Sequence, residues 1–249
     1  MMRKVPYIIL ILTLVIVSII FFLPHKEKRT FDDVDTVYNN RFDVLQFGVY
    51  EQDGDDTNGE EPVEWLVLDE KDDKLLVISK DTIVCISYND VSESITWEKS
   101  ILRLYLNNIF YNYYLTDEER DMIVPCTLMN NTVNEFGHSN GSNTVDRIFI
   151  LSIDEYKKYF KNNEERISAG TKYTTTLGLQ ISSTLPNADI PIKNGTFYWA
   201  RNVGYHESDT ACINWNGKIN AYGYDCKSDG MGVRPCMWLK KEALKWQKK

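Results

Sequence analysis

Histidine is almost missing from this chain, with His25, His138 and His206 the only three in 249 residues. That scarcity leaves little material for imidazole zinc centres or for Ser–His–Asp chemistry. Cysteine is scarce too. Cys85, Cys126, Cys212, Cys226 and Cys236 are too few and too scattered for a disulfide framework. No CxxC pair occurs, and an odd number leaves at least one thiol unpaired within the chain. A basic surplus is also lacking. The 28 lysines and arginines face 36 acids, for a net charge of −8, so the basic face that nucleic acid requires is excluded. Internal repeats and low-complexity tracts are absent as well. No pattern announces a cofactor or a metal.

What is present begins at the N-terminus. Arg3 and Lys4 precede an apolar run from Val5 to Leu23, broken only by Pro6, Thr13 and Ser18. A helix of about twenty residues crosses roughly 30 Å of hydrocarbon. The run ends Ile19-Ile20-Phe21-Phe22-Leu23, without the small residues of a cleavage site. We therefore read residues 1–29 as an uncleaved transmembrane signal anchor. Basic residues flank both ends, so charge does not orient it. A short inner tail with a large outer domain is the commoner arrangement, which makes this a single-pass cell-membrane protein with its C-terminal domain extracellular. Residues 30–43 form an acidic tether, 44–240 a folded domain and 241–249 a basic tail.

The folded part starts in "DVLQFGVYEQD", whose alternating apolar positions predict a strand. "PVEWLVLDE" and "KLLVISKDTIVC" follow through polar turns, as in a β-meander. Thr96 is a plausible N-cap for a helix whose face is Trp97, Ile101, Leu102, Tyr105 and Ile109. Thr116 with Glu119, and Ser152 with Glu155, are spaced as capping boxes of two shorter helices. Residues 170–194 read as a long loop. In the aromatic last quarter, Asn216-Gly217 predicts a tight hairpin with Trp215 opposite Lys218, Ile213 opposite Asn220 and Ala211 opposite Tyr222. That register puts Cys226 about 15 Å along the strand from Cys212's partner, beyond the roughly 7 Å reach of a disulfide.

The motifs FGVYEQD…EPVEWLVLD, TWEKSILRLYLNNIFY, IFILSIDE, YWARNVG and GVRPCMWL occur in that order. Together they resemble an uncharacterised bacterial family of unknown function, over roughly residues 45–240. Tyr105 stands where that family often has Trp, and Cys236 where a small residue is usual. The closing W-x-R…G-x-V-R-P is similar to the end of C-type-lectin-like domains. The resemblance implies an α+β fold with a twisted antiparallel sheet, two or three helices and paired terminal strands. On this expectation "VRPCMW" lies beside "LQFGVY", with Pro235 at an unpaired position. Arg234 would reach a carboxylate or a loop carbonyl. Structural duty is expected of Trp97, Arg103, Trp199, Arg201, Arg234 and Trp238, the residues that carry these motifs.

Chemistry is thinly signalled. Asp53, Asp55, Thr57 and Glu64 fit part of a calcium-loop spacing, but the required glycine falls one place late and the flanks are strands, so a solvated turn is expected. Leu185-Pro186-Asn187 and Trp215-Asn216-Gly217 echo lectin sugar-site triplets without their carboxylates. Cys226 and Cys236 are ten apart, but nothing around them matches the copper-binding pair of formylglycine-generating enzymes. The aromatic stretch Phe197, Tyr198, Trp199, Tyr205, Trp215, Tyr222 and Tyr224 offers rings that stack on sugars, cover a protein partner or fill a core face. The candidates for ligand contact are Tyr205, His206, Trp215, Asn216 and Tyr224. The expectation is a membrane-anchored extracellular binding module for a cell-surface glycan or protein, without a cofactor, metal or nucleic acid. Its rivals are an enzyme of the formylglycine-generating type, a surface hydrolase and a structural envelope protein.

Overall fold

The computed structural model describes residues 41–182 and 194–248. The expected anchor, most of the tether and Leu185-Pro186-Asn187 lie outside them. Among the described residues, no helix is long and apolar enough to cross a membrane.

The fold is α+β, with strands mostly antiparallel. β1 (Val44–Tyr50) buries Leu45, Phe47 and Tyr50. Its alternation slips at Gly48, whose φ of 69° accommodates a bulge. β2 (Glu61–Lys71) and β3 (Lys74–Ser79) join through Asp72-Asp73, both at positive φ as a two-residue hairpin turn demands. β5 (Ile123–Val124), β8 (Ile148–Phe149) and β13 (Cys236–Lys240) complete a six-stranded sheet of order β1-β2-β3-β13-β5, with β8 also on β13. A second sheet runs β11-β10-β9-β12-β4, built from β4 (Val84–Cys85), β9 (Tyr198–Val203), β10 (Asp209–Ile213), β11 (Ile219–Asp225) and β12 (Gly232–Val233). β6 (Cys126–Leu128) and β7 (Thr144–Asp146) form a small ribbon. One hydrophobic core, including Trp65, Trp97, Trp199, Tyr156 and Phe149, serves both large sheets.

The terminal strands are not paired. β1 is an edge strand beside β2, whereas β13 lies against β3, with Cys236 opposite Ile78 and Lys240 opposite Lys74. The reason is burial. Leu75, Leu76, Val77 and Ile78 are all buried, so β3 needs a neighbour on each side, while β1 leaves Val44 and Val49 exposed. β1 enters from the end of this sheet at which β3 begins and β13 leaves.

Arg234-Pro235 is the crossing between the two sheets, from β12 to β13. Pro235 donates nothing, but its carbonyl accepts from Ser79 N at 2.9 Å. Arg234 is fully buried. Its Nε and Nη2 donate to the Ser79 carbonyl at 2.9 and 2.7 Å, and its guanidinium packs over Tyr198 and Phe160. The acceptor is thus a carbonyl at the end of β3.

Helices follow their caps. A helical run over 101–113, α1, starts on Ser100, whose hydroxyl accepts from Arg103 N. Thr96 makes no side-chain cap. The run is π-helical over Tyr105–Phe110, which rotates the inner face to Leu102, Leu106 and Phe110 and leaves Ile109 exposed. Both capping boxes form, on α2 (Asp117–Met122) and α3 (Ile153–Tyr159). α4 (Asn163–Arg166) follows. The stretch expected as loop contains α5 (Lys172–Thr176), capped by Thr171. A 3₁₀ segment, Lys241–Lys248, runs through the basic tail and buries Ala243.

The motif residues hold this frame. Trp97 Nε1 and Arg103 Nε donate to opposite oxygens of buried Asp146, at 2.9 and 2.7 Å, and Thr144 adds a third bond. Trp199 Nε1 donates to Ile86 O. Buried Arg201 reaches Asn130 Oδ1, Ile150 O and Glu155. Trp238 is half-buried in β13, opposite Leu76 and Val124.

Candidate functional site

Two strand irregularities at one level create the most developed surface feature. Between the pairs made by Thr210 and Cys212, β10 has only Ala211, whereas β9 has Ala200, Arg201 and Asn202. Opposite, β11 has Ala221, Tyr222 and Gly223. Each neighbour therefore carries two extra residues, which the strands shed as bulges. Gly223 makes its bulge possible. Its φ is 79°, and a Cβ there would stand 2.3 Å from the Thr210 carbonyl oxygen.

The hairpin register is displaced by one residue before the bulge is reached. Ile213 faces Ile219 and Cys212 faces Asn220, not Ala221. Asn214 N donates to Lys218 O across the turn, and Gly217 takes positive φ. The connection is Trp215-Asn216-Gly217, one residue longer than a two-residue turn, which accounts for the slip.

The β9 bulge aims Asn202 at α3, where its Oδ1 accepts from Ile153 N at 2.7 Å. The β11 bulge lifts Tyr222 outward, and its carbonyl accepts from Tyr205 N at 2.8 Å. The excursion between β6 and β7 folds over both. Asn134 organises it: Oδ1 accepts from the Phe136 and His138 amides, while Nδ2 donates to the Val203 and Gly204 carbonyls. Asn140 Oδ1 accepts from Val203 N. His138 Nε2 lies 2.9 Å from the Tyr205 carbonyl, so that nitrogen carries the proton, and Nδ1 is 3.6 Å from Glu207.

These ties set Phe136 against Tyr205 and Tyr222, with ring centroids 5.2 and 5.1 Å away, and Tyr205 5.4 Å from Tyr222. Behind Phe136 opens a cleft of about 250 Å³. Its walls include Thr132, Glu135, Asp154, Lys157, Asn202 and Ala221. Tyr222 is 63% exposed and Tyr205 47%, so the aromatic lip faces solvent.

Of the residues expected to contact ligand, Tyr205 and His206 come together at this lip, their rings 4.7 Å apart. Trp215 and Asn216 lie elsewhere, at the β10–β11 tip, where Arg166 of α4 donates to Gly217 O. Trp215 is half-buried against the core. Tyr224 packs edge-on against Phe197. Tyr222 belongs to the aromatic stretch that the sequence offers for stacking, whereas Phe136, Asn134 and Asn202 are added by the structure. One signal was available: a lone aromatic, Phe136, in the Asn/Ser/Gly-rich stretch "NNTVNEFGHSNGSN".

A second cluster sits on the acidic turn. Carboxylate oxygens of Glu51, Asp53 and Glu61 approach within 4.8 Å of one another. They already accept local donors: Gly54 N on Glu51, Asp55 N and Asn58 Nδ2 on Asp53, and Gln52 N on Glu61. Asp55 accepts both Thr57 donors, which lowers its pKa, and Glu64 pairs with Lys80.

All five thiols are free. Cys226, just past β11, donates to Val91 O, and Cys236 is buried in β13 of the other sheet. Burial pushes the Cys236 thiol well above its usual range, Cys85 up to about 11, and Cys126 and Cys212 up to about 12. Such thiols stay protonated at neutral pH and are poor nucleophiles and metal ligands.

No curated protein and no solved structure matches this chain. Residues 72–241, from the β2–β3 turn to the end of β13 and including every wall of the cleft, match the model of a domain of unknown function, DUF6273. The chain belongs to the DUF6273 family.

Proposed function

We propose that this protein is a membrane-anchored binding module, held by the 1–29 helix with its domain outside the cell, and that it engages a surface ligand at the Phe136–Tyr205–Tyr222 lip. The domain is read as C-type-lectin-like. The observation that carries the binding role is the pair of exposed tyrosines beside a polar cleft. Exposed rings next to each other on a soluble face are uncommon without a partner to cover them. They are also held in place before any ligand arrives, which limits the ordering entropy lost on binding. The apolar run and its flanking charges support the anchor.

Alkaline carbonate should leave the full chain in the membrane pellet, and protease added to intact cells should remove the domain. The detergent-solubilised full chain should bind isolated cell envelopes, and Tyr222→Ala, an exposed change, should weaken that binding about tenfold without altering the melting temperature. Envelope binding unchanged in Tyr222→Ala would show that the ligand goes elsewhere.

A further inference from the structure

The size and wall chemistry of the cleft bear on what enters it, given the reading of that cleft as the binding site. At about 250 Å³ it falls just below the roughly 300–1,000 Å³ of pockets for drug-sized ligands. It admits one ring-sized group, with the rest of a longer molecule outside. A protein partner is a poorer match, since stable interfaces cover about 800 Å² per side around an apolar centre. Here the exposed apolar area is three rings and Val133, bordered by Glu135, His138 and Glu207.

Tyr205 and Tyr222 both expose aromatic surface to water. The C–H face of a pyranose carries slight positive charge and complements such a surface. The adjoining ring, inside the cleft, has polar partners for its hydroxyls in Thr132 and Asn202. The ligand's charge is decided by the walls. Glu135 and Asp154 outnumber Lys157, which lies 4.0 Å from Asp154, and no arginine lines the cleft among the described residues. Glu207 adds a further acid at the lip. A uronate, sialate or phosphate would meet a net negative site.

We infer that the site takes a neutral or amine-bearing sugar chain, one ring in the cleft and the adjoining ring on the Tyr222–Tyr205 lip outside it, and excludes acidic sugars.

The test uses the full chain in detergent against four probes: neutral hexose oligosaccharides, chitin oligosaccharides, chitosan oligosaccharides and oligogalacturonate. Neutral or chitin probes should bind, and oligogalacturonate should not. Chitosan should bind most tightly at low salt and lose about fivefold or more in about 0.5 M salt. Glu135→Gln with Asp154→Asn should cancel the advantage of chitosan over the neutral probes. Tyr222→Ala should weaken every sugar about tenfold. Oligogalacturonate binding as tight as chitosan, or a chitosan advantage that survives the double variant, overturns the charge selection but leaves the binding site standing. Envelope binding that is abolished by protease and matched by no sugar overturns the sugar class. If envelope binding is also insensitive to Tyr222→Ala, the site itself falls.

Discussion

At the scale of single residues, the motif side chains are explained by what they hold. Asp146 is buried and accepts from Trp97, Arg103 and Thr144, which ties the start of α1 to the β6–β7 ribbon. Asp146→Ala would strand three donors, one of them a guanidinium. Breaking a buried ion pair from one side typically costs about 3–5 kcal/mol. The variant should lose close to the lower figure in urea denaturation, since the Arg103 side chain is a quarter exposed and keeps some water. Asp146→Asn, which keeps an acceptor, should lose less. The thiols lead to a second expectation. Their pKa values are raised by burial, so the folded state favours the protonated form. The unfolded chain releases those protons first, from the ordinary value near 9 upward. Stability should hold below that pH and fall as pH climbs toward 11–12. At pH 8 the native protein should alkylate slowly, and the denatured protein at all five cysteines; rapid labelling of native Cys212 would contradict its burial.

At the scale of elements, what could be read from the sequence depended on how local the cause is. The capping boxes at Thr116 and Ser152 are contained in four residues each, and both form. The helix face failed at Ile109 because a π-helical turn advances the inner side to Phe110, and 3.6-residue spacing carries no sign of that. The hairpin register failed because its turn has three residues and β11 bulges at Gly223, which depends on contact with Thr210 across the sheet. Gly223→Ala tests this. Positive φ costs a residue with a Cβ about 1–2 kcal/mol, and the 2.3 Å approach to the Thr210 carbonyl adds a clash. The variant should be destabilised by about 2 kcal/mol or more. It should also lose envelope binding at temperatures where it remains folded, because the bulge positions Tyr222. Normal binding with a normal melt would mean that the bulge re-forms without glycine.

At the scale of the whole molecule, β13 is the central joint. It touches β3, β5 and β8, and Arg234-Pro235 leads into it from the second sheet. Deleting 233–249 removes buried Val233, Cys236, Met237 and Leu239. At roughly 1.5–3 kcal/mol per large apolar side chain, the loss rivals a domain's usual 5–15 kcal/mol, so the remainder should not fold. Deleting only 241–249 removes buried Ala243 and partly buried Leu244, so it should lower the melting temperature by a few degrees while the melt stays cooperative. The α+β class and the order of most elements were legible in the sequence, since periodicity and caps carry them. The partner of the last strand was not, because pairing is decided by which strand must be covered on both sides. The candidate site was legible only at Tyr205 and His206 and, within the aromatic stretch, at Tyr222. Phe136 comes from a loop some seventy positions earlier, and only tertiary contact unites them.

One consequence follows from β1 entering at the same end of the sheet by which β13 leaves. Three strand spacings across and about four residues along place Val44 roughly 20 Å from Lys240. An extended link of about seven residues spans that gap. The domain is therefore a cassette. It can be carried on a stalk by either end, spliced into a surface loop of another protein, or closed on itself and reopened in the acidic turn near Asp56, without disturbing the ladder that holds it together.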